Sequence, residues 1–402
     1  MATEILEKNE RQYYVDWLRI FLILSVFLYH IGMIFISWDW HIKNDEVFGY
    51  KSTLWYTMVF LGSWRMPLLI LISGAGTYLA LGKRTSGQYL KERFKRLFIP
   101  LFAGIFILVP VQVYIEKSAN YGSLLDYYPH LFEGIYPAGN FSWHHLWFIC
   151  YLFFIVLVIS PFLNLLRSSG FDLFIGRMVK VTSKKLGANI FLIPLVLSQI
   201  ILRPFFPDNT HALINDWAFV ALYLIFFLSG YIIIASNKIV SFIMEQRNLY
   251  LIESVVATTV MLTFPSMFEN QLLKDLFWDI PEIVVAWSTG LAVFGYAKKY
   301  LNFDNSFRKL LNAAIYPFYL LHQPIIVIVG YFVVPIEISI WAKVVFITIV
   351  SFSLTVAVYW FVVKRFNFTR IIFGMKPKAV KRHTRQETGN VKPAMVHLKS
   401  KY

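Results

Sequence analysis

The stretch YYVDWLRIFLILSVFLYHIG, residues 13–32, decides the fold because it is long enough to cross a bilayer and still carries ionisable side chains. Arg19 and His30 are eleven residues apart. On an α-helix they therefore lie about 20° apart around the axis and about 16 Å apart along it. Charged groups that persist in hydrocarbon usually face the interior of a helix bundle and have a function. The stretch predicts a membrane helix with one polar seam, although Arg19 alone could extend to the interface and His30 alone could be a packing residue.

The composition of the chain favours the same class of protein. Of 402 residues, 57% are hydrophobic and 15% are charged, whereas soluble proteins carry about 25% charged residues. Cys150 is the only cysteine, which argues against a disulfide-rich domain and a cysteine-based zinc site. We therefore expect an all-α polytopic membrane bundle that holds no metal.

Ten apolar segments of about 20 residues, bounded by charges or turn residues, predict the membrane helices. They cover residues 16–37, 54–82, 97–116, 144–164, 188–203, 216–236, 249–268, 282–300, 309–333 and 340–363. The domain organisation that follows is an integral-membrane domain over residues 1–363 and a basic, disordered cytoplasmic tail over residues 364–402.

The distribution of charge predicts the orientation. Ten spans put both termini on one side, and the loops and termini of that side hold thirty Lys and Arg against four on the other. The positive-inside rule then places both termini on the cytoplasmic side of the membrane. We expect this membrane to be a bacterial inner membrane. The tail alone holds eleven Lys and Arg and one acid, Glu387. Such a segment is typical of contact with anionic lipid, so we expect a lipid bilayer and no nucleic acid as partner.

The second predicted helix, with GSWRMPLLILISGAG over residues 62–76, contains a cation near mid-membrane. Arg65 does not lose its proton, so it needs a buried partner or an anionic ligand. Ser73 and Gly74 lie closer to the cytoplasm, and small residues there allow close helix packing.

The basic loop after this helix, KRTSGQYLKERFKRLFIP over residues 83–100, has two interpretations. It could act only as a topology determinant. Alternatively, Arg93 and Arg96 share one helical face, and guanidinium groups bind phosphate in a bidentate manner. The loop therefore favours a polyphosphate or a nucleotide-bearing donor.

Polar residues recur in the fourth predicted helix. In SWHHLWFICYLFF, residues 142–154, two adjacent histidines point about 100° apart, so one of them faces the seam. We favour His145. Trp147 belongs to an interfacial aromatic belt or to a surface for a sugar ring.

The ninth predicted helix carries AAIYPFYLLHQPIIV over residues 313–327. Tyr319 and His322 lie mid-span, between Pro317 and Pro324. We expect the helix to unwind around the two prolines and to free backbone carbonyls, which membranes tolerate only where protein or a cavity satisfies them.

The motifs of several enzyme classes are absent from the sequence. There is no GxSxG, HExxH, GxxxxGK[ST] or GxGxxG motif, which disfavours serine hydrolases, zinc peptidases, nucleotide hydrolases and dinucleotide enzymes. A neutral histidine in a dry pocket can remove the proton of a hydroxyl as it attacks an acyl carbonyl, a role worth about 10²–10⁴-fold in rate. His30 is the candidate for that role.

Four motifs in order resemble the membrane acyltransferase-3 family. They are DWLR at residues 16–19 followed by His30, LISG at residues 71–74, RFKR at residues 93–96 and YLLHQP at residues 319–324. The resemblance extends over about residues 13–363. With its HHLW stretch at 144–147, and without an appended esterase-like domain, the sequence looks closer to the glucan-modifying members of that family.

The resemblance implies transfer of an acyl group, often acetyl or succinyl, from cytoplasmic acyl-CoA to a hydroxyl of an envelope glycan. Acyl-CoA is then a co-substrate, and no cofactor is bound. The implied catalytic residues are His30, as the base, and Arg19, which also helps to hold the donor. The donor-binding residues expected from the motifs and the polar seam are Arg93, Arg96, Arg65, Ser73 and Gly74, and those of the acceptor pocket are His145, Trp147, Tyr319 and His322.

A secondary transporter or flippase for a glycan or an anionic lipid-linked substrate is the main alternative. Such proteins are also rich in intramembrane charge and broken helices, but they commonly contain internal repeats. The Arg-to-His spacing of the first helix has no second copy in the sequence, which favours the enzyme. A non-catalytic scaffold would leave Arg65 and His322 without a role. The sequence does not define the acyl group, the linkage or the oligomeric state.

Overall fold

The structure, a computed structural model, describes residues 11–378. Ten helices form the bundle: α1 Tyr13–Ile34, α2 Thr53–Leu81, α3 Ser86–Glu116, α4 His144–Phe162, α5 Gly187–Leu202, α6 Trp217–Ile234, α7 Arg247–Met267, α8 Gln271–Tyr300, α9 Ser306–Val333 and α10 Ile340–Val363. Within the described range, nine helices are long and apolar enough to cross a membrane, and α5 is shorter. This confirms the predicted all-α, multi-pass membrane bundle of about ten helices.

Shorter helices connect the long ones and lie outside the predicted spans. They are Leu124–Tyr127, Ser169–Thr182, Asn237–Glu245 and Asn367–Ile372.

Helix α3 begins at Ser86, eleven residues before the apolar segment that predicted it. Thr85 accepts a hydrogen bond from the Gln88 amide, and the Gln88 side chain accepts one from the Thr85 amide. This capping box satisfies free amides at the helix start, so the basic segment continues the helix although it is not apolar. Most of the predicted loop is therefore helical, and it holds Arg93 and Arg96 rigidly at one end of the bundle.

The expectation that α9 unwinds at its prolines is wrong. The helix runs without interruption through Pro317 and Pro324. Pro324 has no amide hydrogen, so the carbonyl four residues earlier, that of Leu320, has no helical donor. His145 supplies a donor instead, with 3.1 Å between its Nε2 and the Leu320 oxygen. A side chain of α4 thus satisfies the carbonyl, and the helix stays intact.

The first part of the predicted tail belongs to the folded bundle. The helix Asn367–Ile372 lies there, and Gly374 lies against the backbone of Arg96 and the Tyr316 ring. Apolar side chains of this segment pack against the hydrophobic core of the bundle. Residues 379–402 lie outside the described residues, and their disorder stays a prediction.

Helices α2, α6 and α9 form the centre of the bundle. In α9, 78% of the apolar 18-residue stretch is buried inside the protein, against 22% of the corresponding stretch in α7 and in α10. Helices α2 and α6 approach closely because each places a glycine against the other: Gly74 lies against Phe227, and Gly230 lies against Leu71. A Cβ at Gly74 would be 1.9 Å from the Phe227 carbonyl oxygen. Backbone-to-backbone contact of this kind is typical of small residues in membrane helices.

An ion cluster joins the start of α1 to the start of α9. Arg308 is completely buried and donates to Asp16 of α1 and to Asp304, at 2.7 Å from its Nη2. Asp16 also pairs with Arg11 at 3.0 Å and with Arg19 at 3.5 Å. Asp16 and Asp304 together therefore neutralise the buried Arg308, and Asp16 also holds Arg19 in place.

We predict that Gly74→Ala lowers the thermal stability of the purified protein in detergent. The added methyl group would force α2 and α6 apart, and overpacking of this kind costs about 1–3 kcal/mol. The matched control is Gly290→Ala in α8, where a Cβ would meet only Leu68 at 3.7 Å, an ordinary contact. A Gly74→Ala protein with an unfolding midpoint as high as that of the control would contradict the close packing.

We predict that Asp16→Asn destabilises the fold by about 3 kcal/mol, because it removes one of the two carboxylates bound to the buried Arg308 and leaves three arginines around an uncharged amide. Thermal unfolding in detergent measures the effect. Asp45→Asn serves as control, since Asp45 is exposed and forms no ion pair with another described residue. Equal unfolding midpoints for the two variants would show that the cluster does not stabilise the bundle.

Candidate active site

Two cavities within the described part of the bundle hold the candidate residues. The histidine cavity has a volume of about 410 Å³ and is lined by residues that include His30, Arg65, His145, Trp147, Glu282 and Tyr319. The arginine cavity has a volume of about 610 Å³ and is lined by residues that include Arg19, Ser73, Arg93, Arg96, Tyr316 and Tyr319. Among the described residues, Tyr319 is the one that lines both.

The structure separates the predicted site residues into these two groups. Arg19, Ser73, Arg93 and Arg96 line the arginine cavity, as expected for one donor site. His30, His145, Trp147 and Arg65 line the histidine cavity, so Arg65 lies apart from the other predicted donor-binding residues.

Two predicted site residues line neither cavity. Gly74 lies in the contact between α2 and α6, and His322 is completely buried behind the cavity wall. His322 is nevertheless in direct contact with the site, since its Nε2 lies 2.8 Å from Nδ1 of His30.

Arg65 is a buried cation in the histidine cavity. Its side chain is 3% exposed. It donates to the carbonyls of Leu61 and Ser25, at 2.5 and 3.3 Å, and its guanidinium lies over the Tyr29 ring at 3.8 Å from the centroid. No carboxylate among the described residues forms an ion pair with it. The positive charge is therefore held in place by dipoles and a ring, and remains available to an anion in the cavity.

Aromatic rings form one wall of the histidine cavity. Trp147 is nearly parallel to Tyr223, with 5.7 Å between ring centroids, and lies 4.3 Å from the His211 ring. His211 belongs to the loop between α5 and α6, and burial lowers its pKa to about 4. The imidazole is thus neutral at pH 7 and adds flat, polar surface to the wall. A wall of this kind is suited to the face of a sugar ring.

Carboxylates and a further cation also line the histidine cavity. Asp279 and Glu282 of α8 line it together with Trp278. Arg203 also lines it and is oriented by Gln199, at 2.9 Å from Nε, and by Asn209, at 2.7 Å from Nη2. These groups supply donors and acceptors for several hydroxyls.

A chain of polar side chains lies buried behind the cavity. Gln323 donates to Gln112 at 2.9 Å and lies 3.2 Å from Nε2 of His41, whose Nδ1 is 2.5 Å from Glu116. Gln112 in turn lies 3.5 Å from Nδ1 of His145. This row of polar side chains holds Nδ1 of His145, while Nε2 binds the Leu320 carbonyl of α9. The imidazole is therefore oriented at both ring nitrogens.

The arginine cavity has a strongly cationic lining. Eight Lys and Arg side chains line it, against one carboxylate, Glu92: Arg11, Arg19, Arg84, Arg93, Arg96, Lys309, Arg370 and Lys376. Arg93 lies over the Tyr89 ring at 5.0 Å and donates to Thr77 at 3.4 Å. Neither Arg93 nor Arg96 is within ion-pair distance of a described carboxylate. The lining is therefore suited to a multiply charged anion.

The lining of this cavity becomes apolar toward Tyr319. In the direction of Tyr319, Ile23 lies one turn after Arg19 on α1, and Leu69 lies one turn before Ser73 on α2. Phe148, Ile149 and Leu152 of α4 complete this part. A ligand with a charged head and a slender apolar arm matches this order of surfaces.

Tyr319 separates the two cavities. Its ring is 3% exposed, and its hydroxyl donates to the backbone carbonyl of His145. The sequence predicted one polar seam that holds both Arg19 and His30. Instead, the two side chains lie in different cavities with this tyrosine between them.

Several lining residues had no marker in the sequence. Glu282, Asp279 and Arg203 are common residue types near predicted helix ends, and neither spacing nor period distinguishes them from loop residues. Lys376 lies beyond the last predicted span. Each of these residues lines its cavity only because helices that are distant in sequence pack together.

Comparison with known proteins agrees with this architecture. A family model described as an acyltransferase domain matches residues 12–360. Glucans biosynthesis protein C of Escherichia coli strain K12 is 26% identical over 355 residues, which cover 83% of this chain and 86% of that protein. The protein of the same name from Escherichia coli O139:H28 is 25% identical over 354 residues, with the same coverage. No solved structure matches the chain. Because the family model spans most of the sequence, the protein belongs to the membrane acyltransferase-3 family and is an acyltransferase.

Proposed function

We propose that the protein is an inner-membrane O-acyltransferase that moves an acetyl or succinyl group from cytoplasmic acyl-CoA to a hydroxyl of an envelope glycan. The observation that carries the proposal is the position of His30. This imidazole opens into a cavity suited to a sugar and is one tyrosine away from a cationic cavity suited to a nucleotide. The name of the Escherichia coli relatives supports a glucan as the acceptor class.

The donor occupies the arginine cavity in this proposal. Arg93, Arg96 and Arg19 bind the phosphates of acyl-CoA, which carry several negative charges. The pantetheine arm then lies along the apolar surface of Ile23 and Leu69, and the thioester reaches the level of Tyr319. The 16 Å between Arg19 and His30 along α1, about eleven residues of helical rise, is the distance that the arm spans.

The acceptor occupies the histidine cavity. A sugar ring lies against Trp147, and its hydroxyls bind Glu282, Asp279 and Gln199. This arrangement places one hydroxyl against His30.

The reaction balances with His30 as the general base. The hydroxyl proton moves to the imidazole while the hydroxyl oxygen forms a bond to the thioester carbonyl carbon. The C–S bond then breaks, and the proton on the imidazole moves to the sulfur, which gives an ester and coenzyme A. Arg65 binds the carbonyl oxygen as it becomes negative, so its part in donor binding is at the acyl end. A cation that is already in place stabilises such charge without reorganisation.

A transporter or flippase also has two cavities separated by a narrow barrier, so this alternative is tested directly. Purified protein in vesicles receives acyl-CoA on the side of the arginine cavity and a glucan on the other side. Release of coenzyme A thiol, with acylated glucan found by mass spectrometry, supports the enzyme. Movement of glucan across the vesicle membrane without thiol release would contradict the proposal.

We predict that His30→Ala reduces acyl transfer by about 10²–10⁴-fold, the usual contribution of a general base. Thiol release in the vesicle assay measures the rate. His130→Ala is the matched control, because this exposed histidine pairs with Glu133 and lines neither cavity. An active His30→Ala protein would exclude His30 as the base.

We predict that the double substitution of Arg93 and Arg96 by Ala raises the KM for acyl-CoA by about tenfold for each arginine lost, with a small effect on kcat. A charge-assisted hydrogen bond contributes about 1.5–3 kcal/mol to binding, and phosphate contacts are present in both ground and transition states. The control replaces Arg177 and Lys180, which are exposed on the helix Ser169–Thr182. A KM equal to that of the control would remove donor binding from the arginine cavity.

A further inference from the structure

His322 is completely buried and lines neither cavity, yet it is the hydrogen-bond partner of His30. The two rings lie edge to edge and nearly coplanar, with 11° between their planes and 5.0 Å between their centroids. This is the geometry of an in-plane N–H···N hydrogen bond, whose N–N distance is 2.8 Å. The direction of that bond, from His30 to His322 or the reverse, decides which nitrogen of His30 is basic.

The backbone of α9 fixes the direction of the bond. Nδ1 of His322 lies 2.5 Å from the carbonyl oxygen of Tyr319. A carbonyl oxygen only accepts, so Nδ1 of His322 carries a hydrogen. In a neutral imidazole, the other nitrogen then has a lone pair and accepts. Nε2 of His322 therefore accepts from Nδ1–H of His30.

A neutral pair is consistent with the charges around it. No described carboxylate forms a hydrogen bond or an ion pair with either ring. The cation Arg65 lines the same cavity as His30 and disfavours a further positive charge there. The imidazole of His145, whose ring centroid lies 5.6 Å from that of His322, binds the Leu320 carbonyl and Gln112. An additional positive charge on His322 would be buried without compensation.

The remaining nitrogen of His30 is free to react. With the hydrogen on Nδ1, the lone pair of a neutral His30 is on Nε2. That atom forms no hydrogen bond with another described residue. It is also not fully buried, since it is absent from the buried polar atoms that lack a partner. It therefore faces the histidine cavity.

We infer that His322 is a positioning residue that holds His30 in the tautomer whose Nε2 takes the hydroxyl proton. The inference rests on the proposed function, since it describes how His30 becomes a base. The third residue of a serine hydrolase triad has the same task, and there a carboxylate performs it. In this protein, a second imidazole connects the base to a backbone carbonyl, which introduces no net charge into the membrane.

The test compares two substitutions of His322. In His322→Gln, the side-chain oxygen can still accept from Nδ1–H of His30, so we expect kcat within about tenfold of the wild-type value. In His322→Leu no acceptor remains, the hydrogen is free to move to Nε2, and we expect kcat to fall by about 10²–10⁴-fold. The KM for acyl-CoA stays unchanged in both, because His322 does not line the arginine cavity.

A packing control separates positioning from stability. Val327→Ala removes buried volume from the same helix at a residue that lines neither cavity. We expect this variant to lose thermal stability and to keep its kcat. Equal losses of kcat in His322→Gln and His322→Leu, or a loss that appears in KM, would overturn the inference.

A measurement on the unaltered protein does not depend on the leucine variant. In ¹⁵N spectra of histidine-labelled protein, the signals that disappear in His30→Ala belong to His30. We expect them to show a protonated Nδ1 and an unprotonated Nε2, and the reverse pattern would refute the inference. The two proposals fail separately. An active His30→Ala protein removes His30 as the base of the proposed reaction, whereas an inactive His30→Ala with a fully active His322→Leu removes only the role of His322.

Discussion

A backbone carbonyl inside a membrane needs a hydrogen-bond donor, and the site depends on how one such carbonyl is satisfied. Pro324 removes the helical donor of the Leu320 carbonyl, and His145 of α4 replaces it. In return, the hydroxyl of Tyr319 on α9 donates to the carbonyl of His145. These reciprocal bonds fix α4 against α9 where the two cavities meet. A proline that would break an isolated helix thus joins two helices.

The barrier that results has a chemical consequence. A thioester is at risk of hydrolysis wherever water can reach it, and an enzyme avoids that loss by keeping its two substrates in separate, dry compartments until they react. The cationic lining and the sugar-sized cavity lie on opposite sides of Tyr319. In the proposed reaction, only the acyl group then has to pass this ring, while the donor and the acceptor remain in their own cavities.

The sequence predicted the features that depend on local pattern. Apolar length gave the number and approximate place of the helices, and the spacing of Arg19 and His30 gave their inward orientation. The capping box at Thr85 extended α3 beyond its apolar part, and hydrophobicity carries no signal for that. The pairing of His30 with His322 and the separation of the cavities depend on contacts between α1, α4 and α9. Only the packed bundle defines them, because spacing along one helix says nothing about which helix lies opposite.

Two buried arginines show how the structure distinguishes a stabilising charge from an available one. Arg308 is bound by the carboxylates of Asp16 and Asp304, so its charge is neutralised within the protein. Arg65 is as deeply buried but has only carbonyl groups and the Tyr29 ring as partners. A bundle that needed only stability would gain by pairing or replacing this cation, since an unpaired buried charge is costly. In the proposed reaction, a negative charge develops on the thioester carbonyl oxygen next to His30, and that transient anion would be the missing partner of Arg65.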